Sequence, residues 1–288
     1  MKPRHALHPY LMLAPTLALL TLFFLGPLAV AARQSLYAWD MLTPPRFVGM
    51  DNFRALAASG ALTRTVGTTL AYAAMVVGGS MSVGLLLALA VDRPGRLAAF
   101  VRGAVFSAYV VSWVAVALLW MWLLDGDVGL VSRGLRALHL PTRAWLGDPS
   151  TALVTIAMVS VWKITGYAMV LFFAGLQDVP RSLIDAAALD GAGAWQRFRH
   201  VTWPVLRPTT AFVGTTSLLA AFQAFDVVRV MTQGGPAGAT ELIVYAIYEQ
   251  VFVDLRVGRA SALVVVLALV LVAATAAQLA VWRRRGAT

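Results

Sequence analysis

Residues 149–177 read PSTALVTIAMVSVWKITGYAMVLFFAGLQ, an apolar stretch of 29 residues in which Lys163 is the one charged side chain. A membrane-spanning helix needs about 20 consecutive apolar residues. The stretch is long enough to cross a bilayer, and it lacks the strict alternation that marks the strands of a membrane barrel. It therefore predicts a transmembrane α-helix.

The rest of the chain repeats this pattern. Of its 288 residues 60% are hydrophobic and 12% are charged, with a mean hydropathy of +0.77, whereas soluble domains are about 45–50% apolar and 25% charged. A soluble enzyme or DNA-binding domain is excluded on this ground. We predict an all-α membrane protein, a single transmembrane domain over 1–288, with six helices at about 10–32, 65–91, 103–124, 149–177, 208–231 and 260–282.

The basic residues predict the orientation of these spans. With a cytoplasmic N-terminus, the inner segments carry 12 Lys and Arg against four Asp, and the outer loops carry nine Arg against eight acids. Basic residues collect on the cytoplasmic side, so both termini are predicted to be cytoplasmic. The first stretch also has a signal-peptide-like Ala29-Val30-Ala31, but its apolar run is too long and contains Pro15.

Several kinds of site are not expected. The net charge of +10 is spread over several collars beside the membrane, which argues against nucleic acid as a partner and for contact with membrane lipid. The chain has no cysteine, and its four histidines, at positions 5, 8, 139 and 200, do not form a cluster in sequence, so no metal site is predicted.

The most informative segment is the loop of about 178–207 between the fourth and fifth spans, which includes RSLIDAAALDGAGAWQRFRHVTWP at 181–204. Apolar residues line one face of a short helix, Gly191 ends that helix, and a second short helix follows over about 192–201. We predict a cytoplasmic helix–turn–helix. The residues alone leave two interpretations open: an amphipathic linker lying on lipid headgroups, or a docking element for a partner.

This loop resembles the signature loop of the permease subunits of bacterial ABC importers. The family pattern is Glu-Ala-Ala, three residues, Gly, nine residues, Ile, any residue, Leu-Pro. Here Asp185-Ala186-Ala187, Gly191, Val201 and Trp203-Pro204 keep the spacing, with Asp, Val and Trp in place of Glu, Ile and Leu. The stretches 47–53 and 258–261 are similar to the carbohydrate-uptake branch, which includes importers of maltose, lactose and glycerol-3-phosphate.

The resemblance implies a permease subunit in the cytoplasmic membrane of a bacterium, importing a sugar or sugar-like solute. Its implied partners are a second homologous permease, an ATPase dimer that binds ATP and Mg²⁺, and an extracytoplasmic binding protein. The residues implied to couple the chain to the ATPase are Asp185, Ala186, Ala187, Asp190, Gly191, Ala192, Phe198, Val201 and Pro204.

The chain is expected to bind no cofactor and to catalyse no reaction. A phosphate-binding P-loop needs Gly-Lys followed by Ser or Thr. The two lysines, Lys2 and Lys163, are followed by Pro3 and Ile164. Hydrolysis of ATP is therefore expected on another subunit.

Charges within spans mark candidates for the solute pathway, because a charge at the bilayer centre costs about 2.5–3.5 kcal/mol on insertion scales. Two structural interpretations stay open: an ion pair of Asp226 with Arg229, and a Lys163 ammonium held by backbone carbonyls or by Asp226. The alternative is a cavity that binds sugar hydroxyls or a phosphate. The candidate residues are Lys163, Tyr167, Ser217, Gln223, Asp226 and Arg229, with Ser107, Tyr109, Ser112 and Trp113 as weaker ones.

Three other functions compete with an ATP-driven importer. A self-sufficient secondary transporter is disfavoured because Asp226 is the one intramembrane acid available for coupling. An intramembrane enzyme would need paired carboxylates, clustered histidines or a Ser–Lys pair, and the spans offer none of these. A structural scaffold is the third alternative.

Overall fold

The computed structural model describes residues 8–286, with side-chain burial for 12–280. Lys2 and Arg4, which the orientation argument uses, lie outside this range, as do the side chains of Arg283, Arg284 and Arg285. The structure divides into two compact units, one of residues 1–64 and 246–270 and the other of 65–245 and 271–288. The prediction of a single transmembrane domain stays a prediction.

Most of the described chain is helical. Its elements in order are α1 His8–Leu20, a π-helical turn Thr21–Leu25, α2 Gly26–Gln34, β1 Tyr37–Ala38, β2 Arg46–Phe47, α3 Asp51–Ala58, α4 Ala61–Ala90, α5 Arg96–Val110, α6 Trp113–Leu123, α7 Leu130–Ala137, α8 Pro149–Gln177, α9 Arg181–Leu189, α10 Ala194–Arg197, a second π-helical turn Phe198–Thr202, α11 Trp203–Phe222, α12 Asp226–Met231, α13 Ile243–Phe252 and α14 Val257–Gly286.

Four stretches of the described helices are long and apolar enough to cross a membrane: Met12–Gln34, Ala61–Ala90, Pro149–Gln177 and Val257–Ala280. They match the first, second, fourth and sixth predicted spans. A fifth is obtained if α5 and α6 together form one span. The all-helical membrane class is thus confirmed, while the count of six spans and the orientation stay predictions.

The third predicted span, 103–124, is not one straight helix. It divides into α5 and α6, whose axes differ by 101° across Val111 and Ser112. No glycine or proline lies between Ser107 and Val114 to signal this break. The bend is held by contacts from another helix, which local sequence does not reveal.

The fifth predicted span, 208–231, also differs from the structure. Helix α11 begins at Trp203 and ends at Phe222, and a short α12 resumes at Asp226. The helix continues through Pro204, because the wider π-helical turn that precedes it relaxes the clash between a proline ring and the carbonyl four residues earlier. The second helix of the predicted loop is therefore continuous with the span that follows.

Helix α8 lies at the centre of the larger unit. Fifteen of its residues are buried, and a shared apolar core joins it to α4 and α11 through Ala88, Phe172, Leu206 and Val213 among others. Its N-terminus is capped by Asp148, whose carboxylate accepts a hydrogen bond of 2.8 Å from the Ser150 amide. That hydrogen bond lowers the pKa of the Asp148 carboxyl group.

Glycines let neighbouring helices approach α8 closely. A Cβ atom at Gly84 of α4 would lie 2.7 Å from the Ala168 Cβ, and one at Gly175 of α8 would lie 2.6 Å from the Thr209 Oγ1 of α11. The Tyr72 hydroxyl also hydrogen-bonds the Ser160 hydroxyl at 2.6 Å. Close packing of small residues replaces hydrophobic collapse as the force that assembles helices in lipid.

The approach of α5 to α8 is closer still. A Cβ at Gly166 would overlap the carbonyl oxygen of Val105 and would lie 3.0 Å from the Phe106 Cα. These are backbone atoms, which a side-chain rotation cannot move away. Gly166 therefore sets the distance between α5 and α8.

We expect Gly166→Val to destabilise the fold by about 1–3 kcal/mol, the usual cost of overpacking, or to displace α5. The measurement is thermal unfolding of the purified chain in detergent. Gly103→Val on α5 is the matched control, because a Cβ at Gly103 would meet no atom within 4 Å. Equal stability of the two variants would contradict this account of the α5–α8 contact.

Candidate functional site: the loop of residues 181–204 and the break between α5 and α6

The first feature is the turn after α9. The amide of Gly191 donates to the Ala188 carbonyl at 3.1 Å, and the amide of Ala192 donates to the Ala187 carbonyl at 2.9 Å. This pair of hydrogen bonds is the Schellman motif, which needs a residue with positive φ after the helix. Gly191 has a φ of +79°, so the predicted role of this glycine in ending the helix is confirmed.

Another hydrogen bond, at Gly193, holds the chain where it leaves this turn. The Gly193 amide donates to the side-chain oxygen of Gln196 at 2.8 Å, and α10 begins at the next residue. Helix α10 then runs through the π-helical turn into α11 without a break. The loop is therefore continuous in helical structure with α11, a helix of the core.

Large apolar side chains of this loop face solvent. Leu189 is 90% exposed and Trp195 is 68% exposed. The Trp195 and Phe198 rings stack at 5.6 Å between centroids, and Phe198 lies 6.1 Å from the Trp203 ring. Phe198 and Trp203 are half-buried, so Leu189 and Trp195 form the exposed part of this apolar surface. Apolar patches of this kind mark surfaces that bind another protein or a membrane.

The structure brings most of the predicted coupling residues to one place. A shallow cavity of about 380 Å³ is lined by Ala187, Asp190, Gly191, Ala192, Gln196, His200 and Val201. Asp185 and Ala186 are exposed on α9, Phe198 belongs to the aromatic cluster, and Pro204 lies in the first turn of α11. Gln196 and His200 were not predicted, although both lie within the signature segment.

The second feature is the ammonium group of Lys163, a residue only 2% exposed. Its Nζ donates to the backbone carbonyls of Ala108 at 3.2 Å, Tyr109 at 2.9 Å and Val111. Carbonyls at the end of a helix have no partner within that helix, and a cation there also interacts favourably with the helix dipole. Lys163, a residue of α8, thus caps the C-terminal end of α5.

Aromatic rings complete the surroundings of Lys163. Its Nζ lies 5.0 Å from the Trp113 ring centroid and 5.8 Å from that of Tyr109. The Tyr109 ring in turn stacks on Tyr167 at 4.9 Å. Trp113 is the first residue of α6, so this cluster fixes both sides of the break between α5 and α6.

The third feature is a cavity of about 270 Å³ at the break between α11 and α12. It is lined by Trp113, Ala220, Gln223, Ala224, Phe225, Asp226 and Val227. It brings together Gln223 and Asp226 of the predicted pathway residues with Trp113, one of the weaker candidates. An aromatic wall with a few polar groups is the usual composition of a small-molecule site.

The remaining predicted pathway residues lie elsewhere. Lys163 and Tyr167 belong to the cluster that holds α5, and Arg229 is exposed on α12. Ser217 is 1% exposed, and its hydroxyl has no hydrogen-bond partner in the described part of the chain. Trp113 connects the two groups, because its indole lies near Lys163 and also lines the cavity.

Over residues 8–286, no three His, Cys, Asp or Glu side chains lie close enough together to hold a metal ion.

Comparison with known proteins gives the family. The profile described as "Binding-protein-dependent transport system inner membrane component" matches residues 80–286. The sn-glycerol-3-phosphate transport system permease protein UgpA of Agrobacterium fabrum is 34% identical over 272 residues, covering 94% of this chain and 92% of that protein. Its counterpart from Brucella abortus is 35% identical over 274 residues, with the same coverage.

Solved structures show the same fold. A chain from a bacterial ABC transporter that imports the acidic polysaccharide alginate superposes with a TM-score of 0.81 at 23% identity, covering 96% of this chain and 94% of that one. A chain from the alginate transporter in complex with a pentasaccharide-bound periplasmic protein gives a TM-score of 0.82 at 23% identity, covering 97% and 95%. The family resemblance drawn from the loop of residues 181–204 is confirmed: the chain belongs to the family of inner membrane components of binding-protein-dependent transport systems.

Proposed function

We propose that this chain is one of two permease subunits of an ATP-driven importer and forms half of the pathway for a sugar or sugar-like solute. In this proposal it lies in the cytoplasmic membrane of a bacterium with both termini inside. A second homologous permease completes the pathway, and an extracytoplasmic binding protein delivers the solute. An ATPase dimer binds ATP and Mg²⁺, since this chain lacks a Gly-Lys-Ser/Thr motif.

The observation that carries this proposal is the exposed helix–turn–helix that runs without interruption into α11. Its predicted orientation places it in the cytoplasm, and its aromatic cluster offers the apolar contact that a protein partner needs. The ATPase is the partner that must transmit motion to the membrane helices.

Two further observations support a carbohydrate or a related polyol phosphate as the solute. The relatives named above belong to importers of glycerol-3-phosphate and alginate. The cavity of Trp113, Gln223 and Asp226 offers an aromatic face, an amide and a carboxylate. Hydroxyl groups can donate to the carboxylate and exchange hydrogen bonds with the amide, while the indole covers an apolar sugar face.

The proposal is tested by uptake into proteoliposomes that contain this chain with its cognate permease, ATPase and binding protein. We expect uptake to require ATP and the binding protein and to persist when an uncoupler collapses the proton gradient. Uptake by this chain alone, driven by that gradient, would instead identify a secondary transporter.

Gly191→Val should reduce ATP-driven uptake by about tenfold or more while insertion into the membrane is unchanged. A β-branched residue at positive φ costs about 1–3 kcal/mol, and it strains the backbone without a steric clash, because a Cβ at Gly191 meets no atom within 4 Å. Uptake and binding of the ATPase subunit are both measured.

Two variants serve as controls for this experiment. Gly193→Ala should behave as the wild-type chain, since Gly193 has a φ of −65° and a Cβ there makes only an ordinary contact at 3.8 Å. Gly191→Asn should retain part of the activity, because asparagine tolerates positive φ. Normal uptake by Gly191→Val would argue against a role of this turn in coupling.

Lys163→Met should lower the free energy of unfolding by about 2 kcal/mol, because it leaves the buried carbonyls at the end of α5 without their donor. We also expect weaker solute affinity, since Trp113 is positioned from the same cluster. Lys163→Arg, which keeps the charge, is the comparison. Thermal unfolding and transport KM are the two measurements, and a Lys163→Met variant unchanged in both would show that the cap has no such role.

A further inference from the structure

A cavity of about 480 Å³ lies outside the features used so far. Its walls come from the smaller unit alone: residues 38–46 around the β1–β2 hairpin, Asn52 of α3, and residues 255–259 at the start of α14. The stretches 47–53 and 258–261 each resemble the carbohydrate-uptake branch of the family. The structure brings these two stretches into contact.

The floor of the cavity is built from buried hydrogen bonds. Asn52 is 7% exposed, and its side-chain amide donates to the carbonyls of Ser35 at 2.8 Å and Tyr37 at 2.9 Å. A Cβ at Gly258 would lie 2.9 Å from the Asn52 Nδ2 atom. The Val257 amide donates to the Trp39 carbonyl at 3.0 Å. The start of α14 is thus held against the hairpin, and the residues around the cavity have fixed backbone positions.

The cavity carries more positive than negative charge. Three arginines, Arg46, Arg256 and Arg259, line it together with one acid, Asp40. Arg256 has an acidic neighbour, with its guanidinium 3.9 Å from the Asp254 carboxylate. For the guanidinium groups of Arg46 and Arg259, the structure records no hydrogen-bond acceptor or ion-pair partner among the residues it describes.

Asp40 does not neutralise these two arginines by an ion pair. Its carboxylate accepts hydrogen bonds from the amides of Leu42 at 3.0 Å and Thr43 at 2.7 Å, and from the Thr43 hydroxyl at 2.8 Å. These bonds lower the pKa of the Asp40 carboxyl group. They also show that its role is to fix the turn of the hairpin.

We propose that this cavity binds a carboxylate or phosphate group through the guanidinium groups of Arg46 and Arg259, beside the indole of Trp39. A guanidinium presents a planar set of N–H donors that matches the oxygens of either anion. The anion has two possible sources: an acidic side chain of the docked binding protein, or the acidic group of a transported solute. Both sources assume the proposed function of the chain as a permease subunit.

The first experiment measures binding of free anions to the full chain in nanodiscs of zwitterionic lipid. The probes are glycerol-3-phosphate and glucuronate, with glycerol and glucose as neutral controls, followed by calorimetry. If the anion comes from the solute, the charged probes bind, the neutral ones do not, and Arg46→Gln or Arg259→Gln weakens binding about tenfold, as loss of a charge-assisted contact predicts.

The second experiment measures docking of the cognate binding protein to the assembled transporter. If the anion is an acidic side chain of the binding protein, the same two variants weaken docking about tenfold and reduce its dependence on salt, while the free anions do not bind.

Arg54→Gln is the matched control in both experiments, because Arg54 is exposed on α3 and is paired with Asp51 at 3.1 Å, outside the cavity. The inference is overturned if Arg46→Gln and Arg259→Gln match Arg54→Gln in both measurements. If the assembled wild-type transporter shows no ATP-driven uptake, the proposed function is contradicted instead. The measurements of anion binding and of docking do not depend on uptake, so together they still decide the inference.

Discussion

The contact between α8 and the break in α5–α6 is the constraint on which the core depends. Lys163 reaches from α8 to the carbonyls that end α5, and Gly166, one turn further along the same helix, lets the α5 backbone lie directly against it. Carbonyls that are buried away from water at the end of a helix need donors from the protein in its place. A single buried cation supplies those donors, and the neighbouring glycine brings α5 within its reach.

The surroundings of Lys163 bear on both of the interpretations that the sequence leaves open for this residue, a structural contact and a solute site. A charge buried in a span is expected to mark either a solute site or a structural contact. The Lys163 ammonium is occupied by backbone carbonyls, yet it lies near the Trp113 ring, which also lines the cavity of Gln223 and Asp226. Lys163 can therefore influence that cavity by placing α6, without contacting the solute.

The loop of residues 181–204 follows a different physical rule. Its backbone is fixed by the hydrogen bonds of a helix-ending turn, while its large apolar side chains remain in solvent. A rigid backbone with exposed aromatic residues loses little conformational entropy when a partner binds. The continuous helix from α10 into α11 connects the loop to the core, where Gly175 of α8 lies against Thr209 of α11.

Much of this protein follows from its sequence, because apolar length and glycine geometry are local properties. The run of residues 149–177 predicted α8 to the residue, and the spacing around Gly191 predicted both the turn and the family. Four features could not be predicted in this way. They are the break at Val111–Ser112, the carbonyls that bind Lys163, the continuation of the helix through Pro204 and the contact of Asn52 with Gly258. Each depends on atoms contributed by distant parts of the chain or on a widened helical turn, so only the tertiary structure decides them.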